Sequence, residues 1–434
     1  PVSRDYHGGD GLVIPGIIRE SGWDILEGKL AKLGARDLAL QVNLIRASLS
    51  SLAGISPVQL SPLKSEAREN FLDLARAVGD QLLASAYRYQ GTATWISLQS
   101  KGRHVLANSN VYAIEQTSTG LYDGLSGIGF FLHYLNEATG EKKYAELLGE
   151  VVESLARAPL PNSPSAFSGA GSLAYFFAHH APEKARHFAN AMNHGHAGNN
   201  PDITAGWSGS ILALLAAGAL DKANEFGIAL AEFIESEKPW PVQRGFSHGL
   251  AGAALALTRL EAATGEKRFG RAARLAFAKE DILIQNSQFT DPAYFQQSGT
   301  HQTTWCHGTP GLALARLKAY SLSKDPSLLS SAEEMLRIPF GESQNHSLCH
   351  GLLGNADILL ETGNTFADGE EWIARARKEA MNAEVVKGWR TAFPLHFENP
   401  GLMTGLAGIG YAYLRMAQPD LPCVLALDPP RPMA

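Results

Sequence analysis

Asp123-Gly124-Leu125-Ser126-Gly127-Ile128-Gly129-Phe130-Phe131-Leu132 sets a pair of glycines at the mouth of an apolar run. The arrangement returns as Ser168-Gly169-Ala170-Gly171-Ser172-Leu173 and as Ala205-Gly206-Trp207-Ser208-Gly209-Ser210-Ile211. Four more copies follow: His248-Gly249-Leu250-Ala251-Gly252, His307-Gly308-Thr309-Pro310-Gly311, His350-Gly351-Leu352-Leu353-Gly354 and Thr404-Gly405-Leu406-Ala407-Gly408. The first glycines of the seven copies stand 45, 37, 43, 59, 43 and 54 residues apart. Self-similarity at that period marks a repeat architecture, in which each unit buries its apolar face against its neighbours. Glycine supplies 43 of 434 residues, against roughly 7% in ordinary chains, and the excess gathers at these turns.

A second register recurs inside the repeats. Ala138-Thr139-Gly140-Glu141-Lys142-Lys143-Tyr144 follows Gly124 at the distance at which Ala263-Thr264-Gly265-Glu266-Lys267-Arg268-Phe269 follows Gly249. Each leads into a segment of helical period, such as Tyr144, Leu147, Leu148, Val151, Val152 and Leu155. A repeat therefore reads as glycine turn, apolar helix, polar turn, amphipathic helix. The first helix, apolar nearly all round, should be buried, and the second, with one wet face, should lie outside. Seven such hairpins closed on themselves predict an all-α fold, an α/α toroid: a seven-fold, double-layered helical barrel. An open solenoid would want polar capping repeats at its ends, and none is evident.

Upstream of Gly124 the pattern changes. Segments beginning at Trp23 and at Asp37 predict two short helices, and residues 50–63, with two prolines, read as a linker. Residues 65–89 read as one long amphipathic helix able to pack on the ring. The expected organisation is an N-terminal helical extension over 1–60 and the toroid over 61–434.

Composition excludes several classes. A net charge of −6, from 37 Lys+Arg against 43 Asp+Glu, offers no basic footprint for nucleic acid and no polybasic membrane patch. No stretch reads as a membrane span, and the N-terminus has no signal peptide's apolar region. Three cysteines are too few and too odd for a disulfide framework, which suits a reducing cytoplasm. The chain reads as a cytoplasmic segment of something longer.

Two of the seven turns are near duplicates: Trp305-Cys306-His307-Gly308 and Leu348-Cys349-His350-Gly351. In a toroid their shared slot is the mouth of the ring, so both thiols should converge on one cavity. Soft sulfur with imidazole is a zinc preference. Cys306, His307, Cys349 and His350 together would make a closed, structural site, whereas three ligands leave a position open for chemistry. A chain with so large a core has little need of a metal staple, which favours Cys306, Cys349 and one histidine. Both cysteines sit just ahead of an expected helix N-terminus, whose dipole favours thiolate. Zn2+ with two thiolates and a neutral imidazole is formally neutral, suited to holding another thiol as thiolate. A free thiol, with a pKa near 8.5, is only slightly ionised at neutral pH.

The other turns supply proton carriers. His248 takes the position before glycine that His307 and His350 take, and could move a proton in the cavity. Asp123 takes it in the first repeat, as acid/base or as a helix cap, and Thr404 in the last. His194 and His196 have metal-ligand spacing but lie in a polar Gly/Asn loop, where solvation is the simpler reading. Cys423 has no partner motif and reads as packing.

The seven glycine turns, with Cys306 in the fifth and Cys349-His350 in the sixth, resemble the lanthionine synthetase C-like family over roughly residues 65–434. The segment Asp37-Leu38-Ala39-Leu40-Gln41-Val42-Asn43-Leu44-Ile45-Arg46 looks like the junction ahead of the cyclase domain in class II (LanM-type) lanthipeptide synthetases. The ending Leu421-Pro422-Cys423-Val424-Leu425-Ala426-Leu427-Asp428-Pro429-Pro430 is similar to the tail of that class. The resemblance implies zinc held by Cys306, Cys349 and His350. It implies as partners a dehydrated precursor peptide and an N-terminal dehydratase domain of the same polypeptide. A cysteine thiol of the peptide would add to dehydroalanine or dehydrobutyrine, closing a lanthionine or methyllanthionine ring. The family's cavity histidine matches His248, as general acid/base. His307 stands where the family often has Tyr, Asn or His beside the first zinc cysteine, and Asp123 is the nearest match to its cavity aspartate. Stand-alone cyclases often carry an Arg where this chain has Gln302.

Rival readings find less in the residues. A prenyltransferase-like β subunit would need a carboxylate zinc ligand and a basic diphosphate pocket near Cys306 and Cys349. A glycosidase on an α/α barrel needs paired carboxylates, and only Asp123 precedes a first glycine as an acid. A family relative adding glutathione, or a non-catalytic peptide-binding toroid, are the remaining alternatives.

Overall fold

The computed structural model describes residues 3–431 except 53–69, 105–108, 199, 237–243, 286–302, 339, 341–342, 344, 364 and 386–388. The boundary expected at 60/61, most of the expected linker and Gln302 fall outside the described residues.

The chain enters through a small antiparallel pair, β1 (Tyr6–His7) and β2 (Val13–Ile14). Two helices follow, α1 (Gly22–Leu30), opened by a Ser21/Asp24 capping box, and α2 (Ala35–Leu52). The long helix expected over 65–89 is shorter: α3 runs Phe71–Ser85 from an Asn70 cap. Tyr87 to Thr94 instead fold into the hairpin β3 (Tyr87–Tyr89) and β4 (Thr92–Thr94). Gln90 and Gly91, at φ of 47° and 77°, form the two-residue turn that the twist of a hairpin requires. A second hairpin, β5 (Ile96–His104) with β6 (Ser109–Gln116), was not expected either. It buries Leu98 with Ala47 of α2, Phe393 and Phe397 in a satellite core.

Six helical hairpins come next: α4 (Leu125–Thr139) with α5 (Lys142–Arg157), α6 (Ala170–His180) with α7 (Pro182–Ala191), and α8 (Trp207–Ala216) with α9 (Leu220–Glu235). They continue as α10 (Leu250–Thr264) with α11 (Lys267–Gln285), α12 (Thr309–Ser323) with α13 (Pro326–Arg337), and α14 (Leu352–Leu360) with α15 (Gly369–Val385). A final inner helix, α16 (Leu406–Ala417), packs against both α14 and α4, so the inner layer closes into a ring of seven. Its outer partner is α3, from the other end of the chain. The toroid is as expected, but its seventh hairpin is completed across the ends of the domain rather than by a following segment.

The layers follow from hydrophobicity. Residues 250–257 of α10 are all buried, as befits a helix enclosed on every side. Outer α5 buries Tyr144, Leu147, Leu148, Val151 and Leu155 along one stripe and leaves Val152 half-buried. The inner-to-outer turns use Gly140 and Gly265, at φ of 66° and 77°, to end α4 and α10 in the left-handed conformation that glycine adopts without steric cost.

Beyond α16 the chain turns into the bore. Residues 421–427 are buried, and their carbonyls are bonded by inner-layer side chains: Tyr411 Oη to Pro422 at 2.7 Å, Trp305 Nε1 to Leu425 at 3.0 Å and an Arg259 nitrogen to Ala426 at 2.8 Å. Around this plug, buried and half-buried cations and anions pair in a continuous network. Arg415 meets Asp357 at 2.7 Å and Glu361 at 2.5 Å, Lys318 meets Glu361 at 2.5 Å and Asp428 at 2.6 Å, and Arg259 meets Asp428. Buried charges persist only when balanced in this way. Cys423 lies in the plug, fully buried, as packing.

On α4 and the last turn of α6, burial lowers His133 to about 4, His179 to about 3 and His180 to about 4. Unfolded imidazoles take protons near pH 6.5 and these folded ones do not, so their contribution to stability is intact above about 6.5 and is lost as pH falls toward 4. The melting temperature should fall between pH 7 and pH 5. His179→Gln, which can still accept the Tyr134 hydroxyl found 2.6 Å from His179 Nδ1, should flatten that fall. An unchanged slope in melting temperature against pH would sink the assignment.

Candidate metal centre

Every inner helix starts at the first glycine of its turn, which is its N-cap. The two residues ahead of each glycine therefore share one rim of the ring, at the positive ends of seven helix dipoles. The second glycine is demanded by close approach. A Cβ on Gly311 would lie 1.9 Å from the Trp305 carbonyl oxygen, and one on Gly354 1.9 Å from that of Leu348. Only a bare Cα lets each turn fold back on its own helix.

The turns are then tied to one another. Tyr122 N–H donates to Phe167 at 2.9 Å, the Ser165 hydroxyl to Thr204 at 2.5 Å, and Ile203 N–H to Ser247 at 2.9 Å. Ser247 donates to Cys306 at 3.1 Å, Trp305 to Cys349 at 3.1 Å, Cys349 to Met403 at 2.9 Å and Met403 to Tyr122 at 2.6 Å. All of these acceptors are backbone carbonyls, and the chain of bonds closes on itself.

On this rim Cys306, Cys349 and His350 meet, with their ligand atoms all within 4.8 Å of one another, the one such group among the described residues. Both cysteines are buried and His350 is half-buried. The Cys306 thiol is drawn down to about 7 by its hydrogen bond with Cys349, while that same contact and burial push Cys349 up. With two sulfurs this close, ionising one opposes ionising the other. A cation between them would let both ionise. Burial lowers His350 to about 4, so the imidazole is neutral and keeps a lone pair to donate. Two thiolates and a neutral imidazole, with no fourth such side chain joining the set among the described residues, fit an open zinc site.

His248 and His307 stand beside this cluster, their rings 5.1 Å apart. His248 Nδ1 lies 3.0 Å from Asp202 Oδ2 and 3.4 Å from Thr204 Oγ1. His307 Nδ1 lies 3.3 Å from the Arg244 carbonyl oxygen, which can only accept. Asp123 is placed differently from what its slot suggests. Its carboxylate accepts from Thr404 N at 3.1 Å and from the Thr404 hydroxyl, clasping the first turn to the last. Burial pushes that carboxyl up to about 7, against the pull of Thr404. The carboxylate beside the histidine is Asp202. His194 and His196 are exposed, away from any such group.

Two site residues were missed from sequence. Asp202 stands four residues ahead of Gly206, outside the slots compared between turns. Tyr122 was legible in principle: two residues ahead of Gly124, it occupies the slot that Cys306 and Cys349 occupy in theirs. Its hydroxyl donates to Cys349 Sγ at 3.1 Å.

Comparison with known proteins defines the class. The family model for lanthionine synthetase C-like proteins matches residues 115–426, well over half the chain. The chain belongs to the lanthionine synthetase C-like family. Among curated proteins it is 24% identical over 438 residues to the lacticin 481/lactococcin biosynthesis protein LcnDR2 of Lactococcus lactis subsp. lactis, a match covering 90% of this chain and 46% of that protein. The chain thus spans about half the length of that relative. Among solved structures, nisin cyclase superposes with a TM-score of 0.57 at 17% identity, covering 71% of this chain and 92% of that one, which shows a shared fold. No helix among the described residues is long and apolar enough to cross a membrane.

The clasp predicts a separable role for Asp123. Asp123→Ala leaves the Thr404 donors unpaired and should cost about 2 kcal/mol in urea unfolding, with zinc content unchanged. Loss of zinc from a folded variant would instead place Asp123 with the metal ligands.

Proposed function

We propose that this chain is a zinc-dependent lanthionine cyclase. It adds cysteine thiols of a dehydrated precursor peptide to dehydroalanine or dehydrobutyrine, forming lanthionine and methyllanthionine rings. The observation that carries the reading is the convergence of Cys306, Cys349 and His350 beside His248 on one rim of the toroid.

Zinc held by those three residues would supply a charge that keeps an incoming thiol ionised at neutral pH. The chain's own residues handle the rest. His248 keeps Nδ1 toward Asp202 and Thr204, which leaves Nε2 for the substrate. At Nε2 it takes the proton of the peptide thiol. The sulfur then bonds to the β-carbon of the dehydro residue, and the π electrons of the double bond move to the α-carbon and its carbonyl. The imidazolium returns its proton to the α-carbon, so the addition balances without a further reagent. Asp202 orients the ring through Nδ1. This role falls to Asp202 because Asp123, engaged by Thr404, is not beside the histidine. His307, held through Nδ1 by the Arg244 carbonyl and beside the His248 ring, is a second proton carrier.

In the same reading, residues 1–60 lead in from a dehydratase domain that prepares the peptide, and 61–434 form the cyclase. A reducing cytoplasm keeps the three thiols unpaired.

Purified protein should hold about one zinc per chain by elemental analysis. Cys306→Ala or Cys349→Ala should lose zinc and cyclisation of a dehydrated peptide together. His248→Ala should keep zinc and slow ring closure by about a hundred- to ten-thousand-fold. A folded, metal-free wild type would overturn the mechanism, and loss of zinc from His248→Ala would overturn the ligand assignment.

A further inference from the structure

Three of the seven slots two residues ahead of a first glycine reach the metal centre: those of Cys306, Cys349 and Tyr122. The tyrosine is held firmly. Its N–H donates to Phe167 at 2.9 Å, and its carbonyl accepts from Leu402 at 3.0 Å and Met403 at 2.6 Å. Its ring stands edge-on to Phe167, with centroids 6.0 Å apart. The one polar group this fixed ring delivers, its hydroxyl, ends 3.1 Å from Cys349 Sγ.

An O–H···S bond to a ligand sulfur does two things. It fixes the side chain in the orientation that points its sulfur at the cluster, and it draws electron density off that sulfur. The second effect matters where two thiolates and one neutral imidazole already cancel the charge of zinc. A peptide thiolate arriving there makes the centre anionic. A donor on Cys349 spreads that excess charge onto the protein.

We infer that Tyr122 is a positioning residue of the metal centre, whose hydroxyl holds Cys349 as a ligand and lowers its electron donation so that a third thiolate is accepted. The inference rests on the zinc reading above. It acts through Cys349, not on the substrate.

The test uses the whole chain loaded with zinc or with Co2+, whose thiolate-to-metal charge-transfer band reports electron density on sulfur. Tyr122→Phe keeps the ring and removes the donor. Zinc affinity, by competition with a chelator, should weaken by about 10- to 100-fold, and the cobalt band should move to lower energy. Ser247→Ala is the control: Ser247 holds the same slot in the fourth turn, and its buried hydroxyl has no hydrogen-bond partner among the described residues. It should leave affinity and band in place. Should Tyr122→Phe fold poorly, 3-fluorotyrosine at position 122, a stronger donor of nearly the same size, should move the band to higher energy. Wild type that binds metal while neither substitution moves the band overturns this inference alone. Wild type that binds neither metal overturns the zinc reading and this inference with it.

Discussion

The belt of hydrogen bonds that joins each glycine turn to the next is the constraint on which the rest of the structure depends. It exists because the second glycine of each turn has no side chain. At Gly354 a Cβ would sit 1.9 Å from the Leu348 carbonyl, so any larger residue must push the turn off its helix. Cys349, the next residue, would then lose its N–H bond to Met403 and its carbonyl bond from Trp305. A glycine inside the scaffold thus sets the position of a sulfur at the mouth. The same holds in the fifth turn, where Gly311 backs onto Trp305 beside Cys306.

This dependence explains why so much of the fold was legible. A steric requirement that recurs once per repeat leaves glycines at recurring positions, and helix periodicity between them separates the buried layer from the wet one. What escaped was everything the repeat does not encode. No glycine turn precedes α3, so nothing in its sequence marks it as the partner of α16; only the geometry of a closing ring assigns it. The hairpins between Tyr87 and Gln116 were hidden for a similar reason. The strands of the first are only three residues long, and the turn at Gln90-Gly91 became decisive only once α3 ended at Ser85.

The site divides along the same line. Cys306 and Cys349 were readable because a duplicated turn placed them in equivalent slots, and equivalent slots share a rim; the choice of His350 over His307 came from the family resemblance. Slot equivalence fixes where a side chain starts, not where it points. Asp123 and His248 hold the same slot, yet the aspartate binds Thr404 while the histidine meets Asp202. The difference comes from the neighbouring turn, since each of these two slots is paired with what the preceding repeat of the ring offers. Asp202 contributes from a position outside the slot, and a comparison of turns alone could not find it.

The plug gives the site its single-sided character. Residues 421–427 occupy the bore, held by side chains from several inner helices and by a network in which Arg259, Lys318 and Arg415 balance Asp357, Glu361 and Asp428. Trp305 links the two ends: its backbone carries the belt to Cys349, its neighbour is Cys306, and its indole donates to the plug at Leu425. A metal centre at an open-ended tube would have to be stiffened from the rim alone. Here the fifth turn is braced from below as well, so the sulfur of Cys306 is fixed by contacts on both sides of its own backbone. The thiolate chemistry proposed for this rim would depend on close positioning of the reacting atoms, and residues 421–427 brace the fifth turn for it from within the ring.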